Sequence, residues 1–266
     1  MNPHIIRALL LVSASALLPA AHAFEESSAL PERVLPGGEG RQRALPEHFA
    51  AVTKPGWEDR LPQIPELTGE LIEASRAGKL DKVKELFTAG ALPNGADALG
   101  ERPLLAAVAG EHVEIVRLLL QRGASPNVKG PNGLTPLSMA AAAGNLGMVR
   151  LLLKAGAIVD ERSDNRATAL HEAVRFDHPA IVSELMAADP AKASYDREGL
   201  HPLALAAALG RLACMDSLFK AGAEADFPDR KGLTALYWAR HFDQALAEAV
   251  LVDNGASREA WPILVD

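Results

Sequence analysis

The stretch Gly133–Asp160, GLTPLSMAAAAGNLGMVRLLLKAGAIVD, decides the reading of this chain. Moving from it in strides of 33 residues returns the same letters. Leu137 has counterparts at Leu71, Leu104, Leu170, Leu203 and Leu236. Ala140 has Ala74, Ala107, Ala173, Ala206 and Ala239, and Leu152 has Leu86, Leu119, Leu185, Leu218 and Leu251. Three columns hold over six copies with no insertion or deletion. Fixed-period self-similarity of this kind is the signature of a stacked repeat architecture.

In the last five copies a Pro or Ala precedes the invariant Leu, as in Thr135-Pro136-Leu137 and His201-Pro202-Leu203. Proline is tolerated there because the first amides of a helix have no intrahelical acceptor. A second apolar run follows, such as Ile115-Val116-Arg117-Leu118-Leu119-Leu120, and closes at Gly123, Gly156 or Gly222. Glycine at that place suits the left-handed residue that ends a helix. Each copy is therefore two short helices and an extended turn. No copy buries its own apolar face, so stability is a sum of repeat and interface contributions.

These motifs resemble the ankyrin repeat, whose period is 33 and whose core reads T-P-L-H-x-A. The resemblance rests on Thr135-Pro136-Leu137-Ser138-Met139-Ala140 and Thr168-Ala169-Leu170-His171-Glu172-Ala173. It also rests on the closing Gly-Ala-x-x-Asn/Asp at Gly90…Asn94, Gly123…Asn127, Gly156…Asp160 and Gly222…Asp226. The expected fold is an all-α solenoid of six stacked repeats, about 67–99, 100–132, 133–165, 166–198, 199–231 and 232–257. The fourth departs from the pattern at Arg166, Asp177 and Asp189-Pro190, which predicts an altered loop. In the sixth, Asp243 and Glu248 suit a polar terminal cap.

The flanks are different material. Residues 1–23 read as a secretory signal peptide: Arg7, an apolar Ala8–Ala20 run and an Ala21-His22-Ala23 cleavage site. Export to a bacterial periplasm is the expectation, with no membrane insertion after cleavage. Residues 24–66 hold six prolines, at 31, 36, 46, 55, 62 and 65, and no apolar period, which predicts a leader without a core of its own. Phe49 and Trp57 are expected over the first repeat, and the tail 258–266, with Trp261 to Val265, on the last.

A net charge of −7 argues against nucleic acid, which rewards clustered Lys and Arg. A single cysteine, Cys214, excludes an internal disulfide and any CxxC site. No GxSxG, HExxH or Walker loop is present. His171-Glu172…Asp177-His178 is the nearest lure, but a zinc-binding helix needs histidines four apart and Arg175 stands there. The resemblance instead implies that His171 hydrogen-bonds between neighbouring loops. No catalytic residue, metal or cofactor is expected, and the chain alone should be a monomer.

The resemblance places partner binding on the concave side, built from turn tips and first helices. Aromatic and Arg residues there are of the kind that dominates binding energy. The candidate surface spans the later repeats: Arg162, Arg175, Phe176, Tyr195, Arg197, Leu205, Phe227, Arg230, Trp238 and His241. The partner is expected to be another protein. Inhibition of a toxic periplasm-acting enzyme, as an immunity protein does, is one role. Support of an exported enzyme such as catalase in peroxide resistance is the alternative, and an envelope scaffold is a third.

Overall fold

In the computed structural model, residues 63–188, 190 and 194–257 are described. Among them twelve α-helices follow one another in six pairs. The pairs are α1 Gln63–Arg76 with α2 Leu80–Thr88, α3 Pro103–Ala109 with α4 Val113–Gln121, and α5 Pro136–Ala143 with α6 Leu146–Lys154. Then come α7 Ala169–Arg175 with α8 Pro179–Ala187, α9 Pro202–Ala208 with α10 Leu212–Lys220, and α11 Ala235–His241 with α12 Ala245–Asp253. First helices pack on first helices of the next pair, and second helices on second helices. No helix of the described residues is long and apolar enough to cross a membrane.

The repeated letters are the core. Leu71, Leu104, Leu137, Leu170, Leu203 and Leu236 are all buried, as are the Ala and second-helix Leu columns. One continuous apolar cluster runs through every pair. The small Ala lets adjacent first helices approach, and the Leu fills the space between them.

Five connecting turns are closed by the same backbone bond one stride apart. Asp97, Gly130, Ser163, Asp196 and Asp229 donate to the carbonyls of Glu101, Leu134, Ala167, Leu200 and Leu233 at 2.8–3.0 Å. At Arg166 and Asp177 the fourth repeat keeps the left-handed backbone of its neighbours. Arg166 takes φ 59° where Gly199 takes 90°, and Asp177 takes 61° where Gly144 takes 78°. The closing bonds hold the left-handed backbone, and the side chain bears the strain. Residues 189 and 191–193 lie outside the described set.

The first helix also differs from the expected boundary. It starts at Gln63, inside the segment read as leader, because a proline such as Pro65 in a first turn forfeits no helical bond. The expected signal peptide, the expected packing of Phe49 and Trp57, and the tail 258–266 lie outside the described residues.

Side chains tie neighbouring repeats together at fixed spacing. Asn94 accepts from the amide of Ser125 at 2.8 Å and donates to the Gly123 carbonyl at 2.9 Å. Asn127 repeats this with Ile158 and Gly156 at 2.8 and 3.1 Å. His178 donates to the Ala142 carbonyl at 3.1 Å, and a Cβ on Gly144 would meet its ring at 2.6 Å. Glycine there is a packing requirement as well as a left-handed turn.

Glu111 holds φ 58° at the place where Gly78, Gly144 and Gly210 stand. Replacing Glu111 by Gly should therefore stabilise the chain by about 1 kcal/mol, since a left-handed L-residue costs about 1–2 kcal/mol. Urea unfolding curves of the two proteins measure it.

Candidate functional site

The site is built on α7, α9, α11 and the turns that precede them. Short helices of this kind expose few positions, so the column at Ala106, Met139, Glu172, Leu205 and Trp238 decides what each repeat offers. Ala106 and Leu205 are buried, while Met139, Glu172 and Trp238 are partly exposed. Leu205 is thus corrected: at 4% exposure it belongs to the core and offers no contact surface. Every residue of α9 from Pro202 to Ala208 is buried, because the helix is packed between α7 and α11. In α11, the last first helix described, the equivalent Trp238 stays half-open.

Trp238 is oriented by its own turn. Its indole N–H donates to Asp229 Oδ2 at 2.9 Å. Asp229, although on a turn, is 4% exposed. Its other oxygen accepts the amides of Lys231 and Leu233 at 2.7 and 2.8 Å, an Asx turn that draws the carboxylate inward. Asp226 accepts from the Ser257 amide at 3.0 Å and so joins the last turn to the end of the sixth pair.

Around Trp238 lies an aromatic patch. His241 is exposed and meets Trp238 edge-on at 5.7 Å. Phe242 lies nearly parallel to Trp238 at 6.0 Å and edge-on to His241 at 4.9 Å. Tyr237 stacks on His241 at 5.8 Å. Phe242 was not among the sequence candidates, although it is 48% exposed. The signal existed: Phe176, Leu209 and Phe242 are one stride of 33 apart, and His241 is not in that column. Phe176 is partly exposed and Leu209 is 40% exposed, whereas Gly110 and Ala143 hold the column earlier in the chain.

A second group gathers on turns four and five. Tyr195 stacks on Phe227 at 6.4 Å, and Phe227 meets His201 edge-on at 5.3 Å. Arg197 and Arg230 are exposed there. Arg175 sits 3.8 Å from Glu172 and 3.9 Å from Asp196, which lines one polar cleft with Asn165, Arg197 and Glu198. Burial raises the Glu172 carboxyl above its ordinary value. Arg162 stands apart on turn three, its carbonyl accepting from Lys129 at 3.0 Å.

The histidines on these turns are structural. His171 Nε2–H donates to the Leu200 carbonyl at 3.2 Å, while Nδ1 accepts from the Thr168 amide at 3.3 Å. His201 repeats this with Phe227 at 2.9 Å and Ala204 at 3.4 Å. Burial drives both rings down from 6.5 to about 4, so each is neutral at pH 7. Among the described residues no group of three or more His, Cys, Asp or Glu could hold a metal ion.

Cys214 is buried on α10, and its thiol donates to Asp177 at 3.4 Å. Burial pushes it up to about 12, which removes the reactive thiolate at neutral pH. A disulfide reagent should leave Cys214 unmodified in the native protein and label it fully in denaturant; absorbance of the released thiol reads both.

Paired helices, turns closed by one recurring bond and side-chain ladders at a constant spacing define a helical repeat solenoid. A family model described as ankyrin repeats, in three copies, matches residues 71–163, 120–198 and 170–259, and the chain belongs to the ankyrin repeat family. No curated protein matches it. Ankyrin repeat domains are in general protein-binding modules without catalytic chemistry.

Proposed function

We propose that this chain is an exported, non-catalytic module that docks one partner protein on the turn-and-first-helix face of its last three helix pairs. The observation that carries this is a column of large apolar side chains. Phe176, Leu209 and Phe242 project at positions where the earlier pairs have Ala77, Gly110 and Ala143. With Trp238, His241 and Tyr195 they form the apolar and aromatic surface that binding sites concentrate.

The residue pattern at the amino terminus supports export to the periplasm. A preformed face over three stacked pairs suits occlusion of a partner's own site, so the role we favour is inhibition of an enzyme that acts in that compartment. Binding to such a face loses little ordering entropy.

A photo-crosslinking residue placed at 242 tests the docking face. It should capture a single protein in the periplasm of the producing cell. The same residue at 77, the register equivalent in the first pair, should capture none. Equal capture at both places refutes the reading. Loss of the captured enzyme's activity on adding the purified chain tests the inhibitory role.

A further inference from the structure

Turn five carries two consecutive cations, Arg230 and Lys231, and both are held in place without an anion. Arg230 lies across turn four. Its amide donates to the Gly199 carbonyl at 3.1 Å, and its guanidinium carbon sits 5.5 Å from the centre of the Tyr195 ring. Gly199 allows this approach: it has φ +90°, and a Cβ there would come 3.0 Å from the Cβ of Arg230. Tyr195 is itself fixed by stacking on Phe227 and by donating to the Pro228 carbonyl at 3.4 Å. Lys231 places its Nζ 5.8 Å from the centre of Trp238. Arg197, one stride before Arg230, is exposed on the neighbouring tip.

A ring face positions a cation but does not neutralise it. Among the described residues Arg197, Arg230 and Lys231 are in no ion pair, whereas Arg76, Lys129, Arg150 and Arg240 each have a carboxylate. The neighbouring acids keep their charge but form no ion pair with these three cations among the described residues. Asp196 and Asp229 are buried, each with one oxygen accepting two turn amides. Glu198 is exposed on turn four, and Glu224 and the partly exposed Asp226 stand at the start of turn five. Two adjacent turn tips therefore present three exposed cations outside any ion pair among the described residues, bordered by aromatic rings.

We infer that turns four and five bind an acidic segment of the partner protein, with Arg197, Arg230 and Lys231 taking its carboxylates. This rests on the partner docking on the turn-and-first-helix face. Pre-positioned side chains lose less freedom on binding than free ones, and opposite charge speeds and orients the encounter. A single-stranded nucleic acid is the other polyanion to consider. It would stack bases on open aromatic faces, but Arg230 and Lys231 already cover one face of Tyr195 and of Trp238.

The test is a titration of the isotope-labelled full chain with a hexaglutamate peptide, followed by NMR. The Trp238 indole N–H and the amides of Arg197 and Lys231 are the reporters. Hexaglutamate should shift them, hexalysine should not, and added salt should weaken the effect. The double variant Arg230→Gln, Lys231→Gln should bind roughly tenfold more weakly, with its indole signal still present as evidence of an intact turn. Absent shifts, equal shifts with hexalysine, an unchanged affinity in the double variant, or tighter binding of oligothymidylate each overturn the inference. Crosslinking from position 242 separates it from the docking face. Undiminished capture in the double variant leaves the face standing and removes the acidic segment. Failure of capture in the otherwise native chain refutes the face itself.

Discussion

Lowering the pH from 7 to 4 should destabilise this protein by several kcal/mol, with most of the loss between pH 6.5 and 4. The cause is the pair of buried rings, His171 and His201, each held down at about 4. In both, Nε2–H donates across to the next turn and Nδ1 accepts an amide at a helix start. A proton on Nδ1 would face an N–H donor and would have to be buried with its charge. The unfolded chain takes that proton near 6.5 and the native chain near 4, so protonation favours unfolding throughout the interval. Below about 4 both states carry it and the loss levels off. Each histidine contributes on the order of 3 kcal/mol, at 1.36 kcal/mol per unit. Against a typical native margin of 5–15 kcal/mol, two such groups decide whether the array survives acid. Urea midpoints at pH 7, 6, 5 and 4 measure the slope. The variant His201→Thr, which installs the residue found at Thr135, Thr168 and Thr234, should be less stable at pH 7 and should have about half the acid slope.

Leu203→Ala should cost about 2–5 kcal/mol, the range for truncating a buried leucine. Leu203 is 2% exposed and lies in α9, between α7 and α11. In a solenoid each pair is held by its neighbours alone, so a weakened central contact lowers the coupling between the two halves as well as the total. The native chain should lose helicity and Trp238 burial in one transition. The variant should show two, with the Trp238 signal changing at lower denaturant than the circular dichroism. Replacing Trp57 and Trp261 by Phe isolates that fluorescence.

The core was legible because the three invariant Leu and Ala columns face the same environment in every repeat. Leu71 through Leu236 must fill equivalent spaces, so the letter itself recurs. Exposure was less legible, because it depends on what the adjoining repeat lays over a side chain. Leu205 and Trp238 share one register, but α11 covers the first and no described helix pair covers the second. Phe242 was missed in favour of its neighbour His241 although its stride marked it. Arg166 and Asp177 misled in the other direction. Their letters break the glycine pattern, while the closing bonds keep the backbone of the neighbouring repeats. The burial of Asp229 was not legible either, because composition does not reveal that two amides and an indole converge on it.

The most direct test of the docking face compares two tagged full chains expressed in the producing cell, the native one and the double variant His241→Ala, Phe242→Ala. Both residues are exposed, so the substitutions leave the core untouched. Co-purification from the periplasm should yield one stoichiometric protein with the native chain and little or none with the variant. Equal recovery with both chains would place the partner elsewhere and contradict the account.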